Sequence, residues 1–257
     1  ERSRGLGDVY KRQFLHSQGL IDYDLDGDLD IVAIEKEGDE QFYVFRNNGF
    51  NQNGDIILEQ VFSYIQLDGS TSRTLAIADY DNDGDQDIYI PRKYGKNWLF
   101  ENQTLQGSYD NVVYNSNPDN LFIEVAEQNN IHDDSFQGLG SMGYGAAWGD
   151  YDNDNDLDLY LSNWGINRLF KNELQVFTDV SSYYDVFSDS LSNGAAWGDY
   201  DNDGWLDLWA GNIRIRDDLF YGGVLEDWNN NISPEYLSAT QDVVAVSYTH
   251  LTLPTKA

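Results

Sequence analysis

Four short acidic segments constrain this chain more than any other feature of its sequence. They read DYDLDGDLD (22–30), DYDNDGDQD (79–87), DYDNDNDLD (150–158) and DYDNDGWLD (199–207), and they share the pattern D-x-D-x-D-[GN]-x-x-D. Neighbouring carboxylates about 5 Å apart repel each other by roughly 0.8 kcal/mol even at the dielectric constant of bulk water. Four copies of so unfavourable an arrangement indicate that a cation offsets the repulsion.

The spacing of the pattern suits a hard cation such as Ca²⁺. A short loop supplies Ca²⁺ with oxygens from alternate positions if the chain turns sharply midway. We expect carboxylate ligands from positions 1, 3, 5 and 9, a backbone carbonyl from position 7, and a turn with positive φ at position 6, where Gly27, Gly84, Asn155 and Gly204 stand. The candidate ligands are Asp22, Asp24, Asp26, Asp28 and Asp30; Asp79, Asp81, Asp83, Asp85 and Asp87; Asp150, Asp152, Asp154, Asp156 and Asp158; and Asp199, Asp201, Asp203, Trp205 and Asp207. An acidic turn without metal is the alternative interpretation.

An EF-hand begins with a similar pattern, but it needs a glutamate at position 12 and a helix on each side. Position 12 is instead Ala33, Ile90, Leu161 or Ala210, none of which has a ligand oxygen in its side chain. After position 7 the apolar residues alternate, as in Leu157, Leu159 and Leu161, which is the period of a strand. The segments before the loops, TLAIA (74–78) and GAAWG (145–149 and 194–198), are also typical of strands. Each loop is therefore predicted to join two strands.

A third strand and a fourth strand follow each loop. Phe45, Phe100, Phe170 and Phe220 stand 23, 21, 20 and 21 residues after the first aspartate of their loops. QVFSYI (60–65), LFIEV (121–125) and VFTDV (176–180) predict the fourth strand. Four short strands in each unit are typical of a β-propeller blade. The loops begin 57, 71 and 49 residues apart, and the longest interval holds a polar segment, 103–120, that is predicted to be a surface insertion.

The repeated unit, GAAWGDYDNDGxLDL followed by RLFxN and FTDV, resembles the FG-GAP/VCBS repeat over residues 14–245. It is similar to the propeller part of the cartilage acidic protein family. The resemblance implies an all-β fold, a partial β-propeller of four-stranded blades with Ca²⁺-binding hairpin loops, as in the head of integrin α chains. It also implies a secreted or cell-surface protein that serves adhesion or recognition. The four blades are expected at 14–70, 71–139, 140–188 and 189–245.

The outer units depart from the pattern. The first has SQGLI (17–21) in place of the GAAWG lead-in, and the last has YLSATQDVV (236–244) in place of FTDV, so both blades are expected to be incomplete. Residues 1–13 and 246–257 resemble translated adapter sequence at the ends of genes predicted on metagenomic fragments, and we expect them to be non-native. Propellers of this kind close with about six to eight blades, so four suggest a fragment.

Composition limits the partners. Lys+Arg number 15 against 45 Asp+Glu, a net charge of −30 that disfavours nucleic acid and anionic membranes. No apolar run is long enough for a transmembrane helix. Only His16 and His132 lie between the suspected foreign ends, and neither belongs to a catalytic motif, so we expect no enzyme activity.

The expected function is that of a calcium-binding extracellular module with a glycan or protein ligand. The alternatives are the propeller of a Ca²⁺-dependent polysaccharide lyase and a propeller whose metals are purely structural. Trp148 and Trp197 are expected in the core. The four tryptophans expected at blade edges, where they would serve recognition, are Trp164, Trp205, Trp209 and Trp228.

Overall fold

The computed structural model describes most of the region predicted to form blades. The described residues are 15–35, 40–66, 70–106, 113–114, 121–133, 142–184, 186, 192–212 and 218–220. The suspected foreign ends, Trp228 and the segment 236–244 lie outside them. The chain divides into two compact units, Glu1–Tyr144 and Gly145–Ala257.

The first repeat is one antiparallel sheet of four strands in the order of the sequence. These strands are β1 (Leu15–Ile21), β2 (Asp30–Glu35), β3 (Glu40–Phe50) and β4 (Ile56–Gln66). The expectation that this blade is incomplete is wrong, because β1 pairs with β2 from Leu15 to Ile21. A side-chain Cβ at Gly19 would come within 2.8 Å of the Ile77 and Leu75 side chains. A glycine therefore lets the atypical lead-in lie close to the next sheet.

The second repeat has the same four-stranded sheet and two additional ribbons. The sheet contains β6 (Ala76–Ala78), β7 (Asp87–Ile90), β9 (Trp98–Asn102) and β12 (Phe122–Glu124). One ribbon pairs β5 (Thr71–Ser72) with β8 (Arg92–Lys93), and the other pairs β10 (Leu105–Gln106) with β11 (Val113–Tyr114). The second ribbon forms part of the predicted insertion between the third and fourth strands.

The third repeat is again a sheet of four strands in sequence order, and three strands of the fourth repeat are described. These strands are β13 (Gly143–Gly149), β14 (Asp158–Asn163), β15 (Arg168–Glu173) and β16 (Val176–Asp179), then β17 (Ser192–Gly198), β18 (Asp207–Asn212) and β19 (Asp218–Phe220). A single helical turn, α1 (Ser181–Tyr184), follows β16. The all-β fold of propeller-type blades, predicted from the strand periods, is confirmed.

The core of the first unit lies between its two large sheets. Phe42 of β3 stacks on Phe100 of β9 with ring centroids 4.7 Å apart, and both side chains are fully buried. Phe122, Ile34 and Ile88 belong to the same cluster. All four residues of β7 are buried, because both faces of this central strand are covered.

The two tryptophans expected in the core, Trp148 and Trp197, pack against core residues of the second unit but are half-buried rather than fully buried. Trp197 lies in the cluster around Tyr160 and Leu208, and its ring stacks on Tyr151 at 6.1 Å. The ring of Trp148 contacts that of Phe177, also at 6.1 Å. The tryptophans predicted at blade edges that the structure describes, Trp164, Trp205 and Trp209, are likewise half-buried rather than exposed. Among the residues described, no helix is long and apolar enough to cross a membrane.

Candidate calcium centres

Each acidic loop is the hairpin between the first and second strands of its repeat. In the first repeat, Ile21 pairs with Asp30 directly at the ends of the loop, and in the fourth Gly198 pairs with Asp207. Strands therefore stand on both sides of the loops, which excludes the EF-hand as predicted.

The loop backbone turns at two positions. Position 6 has positive φ in every repeat, as predicted: Gly27 (93°), Gly84 (101°), Asn155 (74°) and Gly204 (91°). Position 4 also has positive φ, which the sequence analysis missed: Leu25 (56°), Asn82 (60°), Asn153 (57°) and Asn202 (61°). Asparagine at three of these four sites was the available signal, since it is among the residues that tolerate the left-handed region.

Leu25 is the residue least suited to its left-handed conformation. We expect Leu25→Asn to stabilise the chain by about 1 kcal/mol, because the left-handed region costs most L-residues roughly 1–2 kcal/mol and asparagine less. Chemical denaturation of both forms in excess chelator measures the difference. Leu29→Asn is the control, because Leu29 is also exposed and does not have positive φ. Equal gains in the two variants would contradict the explanation.

The carboxylate at position 1 holds the turn together. One of its oxygens accepts a hydrogen bond from the amide of position 6 in all four loops, at 3.0–3.2 Å. The carboxylate at position 5 accepts one from the amide of position 7 at 2.9–3.0 Å. These short-range bonds orient the acidic side chains around the inside of the turn.

The carboxylate at position 9 fastens the loop to the third strand. Asp158 accepts hydrogen bonds from the amides of Tyr151 (3.1 Å) and Asn172 (2.9 Å), and its side chain is fully buried. Asp30 and Asp87 are bonded in the same way, to the amides of Asn47 (2.7 Å) and Asn102 (2.8 Å). This hydrogen bond explains why the number of residues between each loop and the following phenylalanine is nearly constant. The bonded asparagine lies two residues after that phenylalanine.

The acidic side chain at position 7 also has a structural partner. Asp85 accepts a hydrogen bond from the amide of Leu105, and Asp156 accepts one from the amide of Leu174, both at 2.8 Å. These contacts account for an aspartate at a position where only the backbone carbonyl is predicted to bind the ion. In the fourth loop this position is Trp205.

Each loop brings three carboxylates close enough to share one ion, with ligand atoms within 4.8 Å of one another. The groups are Asp22, Asp24 and Asp30; Asp79, Asp81 and Asp87; Asp150, Asp152 and Asp158; and Asp199, Asp201 and Asp203. Positions 1 and 3 are common to all four. Position 9 joins them in the first three groups, and position 5 takes its place in the fourth.

Buried oxygens without partners fit a cation in these loops. Oδ1 of Asp22, Asp24 and Asp152 is buried and accepts no hydrogen bond, although the other oxygen of Asp24 and of Asp152 is paired with a basic side chain. An unsatisfied buried carboxylate oxygen is costly unless a cation or donor compensates it. An ion such as Ca²⁺, which takes oxygen ligands only, matches this set of donors.

The electrostatics of the loops lead to the same conclusion. Burial, and then the charges of Asp83 and Glu101, raise the pKa of Asp81 to about 7. Burial raises the pKa of Asp85 and of Asp158 to about 8, although backbone hydrogen bonds oppose it. Without a cation the ionised carboxylates are unfavourable in the folded chain, and a bound divalent ion would reverse that preference.

Fold and loops together define a class of protein, the all-β repeat proteins whose propeller-type blades have an acidic loop in the first hairpin. The family model for the FG-GAP-like repeat matches residues 22–90 and 150–210, which include all four loops. The chain belongs to this family, as the sequence resemblance predicted. None of the curated proteins compared with the chain matches it significantly. FG-GAP repeat proteins are typically extracellular or on the cell surface, and they commonly bind calcium and extracellular ligands.

Proposed function

We propose that this chain is a calcium-stabilised recognition module that acts outside the cell and binds a glycan or protein ligand without converting it. The observation that carries the proposal is the fourfold loop, in which three carboxylates converge on one point in every repeat. Extracellular calcium modules have weak affinities of roughly 0.1–1 mM. Such loops would be filled outside the cell and largely empty inside it.

Calcium in these loops would have a structural role. Asp22, Asp79, Asp150 and Asp199 would hold the ion together with the other carboxylates of their groups. When bound, the ion supplies positive charge that neutralises the loop. The carboxylate at position 9 accepts a hydrogen bond from the third strand, and this bond would couple an ordered loop to the sheet.

We further propose that the ligand contacts the second repeat at the end of the sheet away from the calcium loop. There the connection between β7 and β9 carries Lys93 and Tyr94. Lys93 Nζ lies 4.6 Å from the ring centre of Tyr94 and 5.6 Å from that of Tyr144, and Arg73 Cζ lies 5.2 Å from the ring centre of Tyr144. The net charge of −30 opposes a long polyanion. The local pair of cations beside aromatic rings suits a short acidic sugar, which offers both a carboxylate and an apolar ring face.

Tyr94 supports this assignment through its backbone. Its φ is 68°, which is unfavourable for a bulky residue, and its side chain is 52% exposed. Strained conformations of this kind cluster at binding sites, where the surrounding structure holds them. An exposed aromatic ring, held in a strained loop beside the Lys93 ammonium group, is therefore suited to contact a ligand.

Titration with a short acidic oligosaccharide such as trigalacturonate, in millimolar calcium, tests the proposal. We expect saturable binding without product, and about ten-fold weaker binding for Arg73→Ala and for Tyr94→Ala, equivalent to about 1.4 kcal/mol. Arg168→Ala is the control, since it also removes one cation, in this case one paired with Asp179 at 3.2 Å. Equal losses in all three variants would contradict this binding surface.

Catalysis is the alternative, and the same sample tests it. Calcium-dependent release of unsaturated uronates, seen as growing ultraviolet absorbance, would establish a polysaccharide lyase and overturn the non-catalytic proposal. The ring of His16, one of the two histidines considered above, is hydrogen-bonded through Nδ1 to the carbonyl of Ser72 at 2.6 Å. This bond fixes the orientation of the His16 ring.

A further inference from the structure

One side chain beside the loop differs in charge among the first three repeats. Arg46, Glu101 and Lys171 each follow the third-strand phenylalanine, at Phe45, Phe100 and Phe170. The next residue in each case is the asparagine whose amide binds the carboxylate at position 9. The third strand thus brings the variable side chain next to the acidic loop in all three repeats.

In two repeats this side chain is a cation that contacts the same two loop positions. Arg46 Nη2 lies 2.6 Å from Asp24 Oδ2 and 3.7 Å from Asp26 Oδ2. Lys171 Nζ lies 2.6 Å from Asp152 Oδ2 and 3.5 Å from Asp154 Oδ2. Both cations therefore bind the carboxylates at positions 3 and 5, which are predicted calcium ligands.

In the second repeat the side chain is an anion instead. Glu101 accepts hydrogen bonds from the hydroxyl of Tyr80 (2.9 Å) and from Nε2 of Gln103 (2.7 Å). Tyr80 is position 2 of the loop, so the negative charge is held against the loop itself. Asp85 of this loop is also fully buried with one oxygen that accepts no hydrogen bond.

We propose that the residue after the third-strand phenylalanine sets the calcium affinity of its loop, so that the loop at 79–87 is the tight site and those at 22–30 and 150–158 are weak. The proposal rests on the calcium binding proposed above. An added negative charge increases the affinity of a site for a divalent ion. A basic side chain that already pairs with two ligands decreases that affinity, because it either repels the ion or must be displaced by it. Arg46 and Lys171 would keep their loops ordered when calcium is scarce, while the second loop requires the ion.

Calorimetric titration of the metal-free full chain with calcium chloride tests the proposal. We expect one site at least about ten-fold tighter than those of the first and third loops. Glu101→Gln should weaken that site about ten-fold or more while keeping an oxygen that accepts from Tyr80, and Lys171→Gln should tighten one weak site. Glu101→Lys should abolish the tight phase. Melting curves in chelator show whether each variant folds.

Glu35→Lys is the matched control for Glu101→Lys. It makes the same change in charge at the end of β2, on the side of the sheet away from the loop. It should leave the calcium titration unchanged. If calcium binds but Glu101→Gln and Lys171→Gln titrate like the wild type, or Glu35→Lys acts like Glu101→Lys, the grading of the loops is refuted. If no calcium binds at any site, the calcium proposal itself fails.

Discussion

Removal of calcium with EGTA is expected to lower the melting temperature of this chain by roughly 5–10 °C for each site that had been filled to about 100 times its dissociation constant. Such a site contributes about 2.7 kcal/mol, and one kcal/mol shifts the melting temperature of a chain of this size by about 2–4 °C. Magnesium should restore little, because it prefers a rigid octahedral shell and gives up its water reluctantly. Differential scanning calorimetry measures the shift.

The fall in melting temperature on removal of calcium should depend on pH. In the metal-free chain, burial holds the pKa of Asp81 at about 7 and those of Asp85 and Asp158 at about 8, above their ordinary values near 3.8. The folded chain therefore binds more protons than the unfolded chain between about pH 4 and pH 8, and its metal-free stability falls as the pH rises through this window. Calcium keeps the carboxylates ionised, so it should stabilise more at pH 8 than at pH 5.5. A melting temperature that does not respond to chelator at either pH would refute the calcium sites.

Asp158→Ala is expected to destabilise the chain by about 2–6 kcal/mol even in EGTA. The change leaves the part-buried amide of Tyr151 and the buried amide of Asn172 without their acceptor, and each unsatisfied donor costs up to about 1–3 kcal/mol. Asp158→Asn retains one acceptor oxygen, so its free energy of unfolding should fall by about half as much. Chemical denaturation with and without calcium measures both effects.

Asp154→Ala is the matched comparison within the same loop. Asp154 is exposed, accepts a hydrogen bond from the neighbouring amide of Asp156 at 3.0 Å, and forms a long surface ion pair of 3.5 Å with Lys171, which contributes little. It should therefore change stability little in EGTA and remove part of the stabilisation that calcium gives. If both variants lost stability only in calcium, position 9 would act as a ligand alone and not as an anchor.

Much of this architecture was predictable because its signals are local. The ligand spacing and the alternation of apolar residues are read within a few neighbouring residues, and Leu157, Leu159 and Leu161 alone indicate a strand rather than a helix. The turn at position 6 also followed from the residues there. The left-handed residue at position 4 was missed because Leu25 obscured a pattern that the asparagines in the other loops displayed.

The anchoring role of position 9 was not predictable in this way. Asp158 resembles any other aspartate of the loop in the sequence, and its partner Asn172 lies 14 residues away. The completeness of the first blade was missed for a similar reason. The segment SQGLI (17–21) replaces the usual lead-in. The need for a glycine at Gly19 is set by the side chains of Leu75 and Ile77, which lie close to it.

The repeat of short strands and its four acidic hairpins were predictable from the sequence alone, because the spacing of the aspartates and the strand period are properties of neighbouring residues. Which aspartates are anchors, and which face the shared site, depends on tertiary contacts. The tertiary structure also decided that Arg46 and Lys171 lie against the loops, and that Glu101 is held beside its loop by Tyr80. These contacts join residues that the antiparallel pairing of distant strands brings together, so no local pattern specifies them.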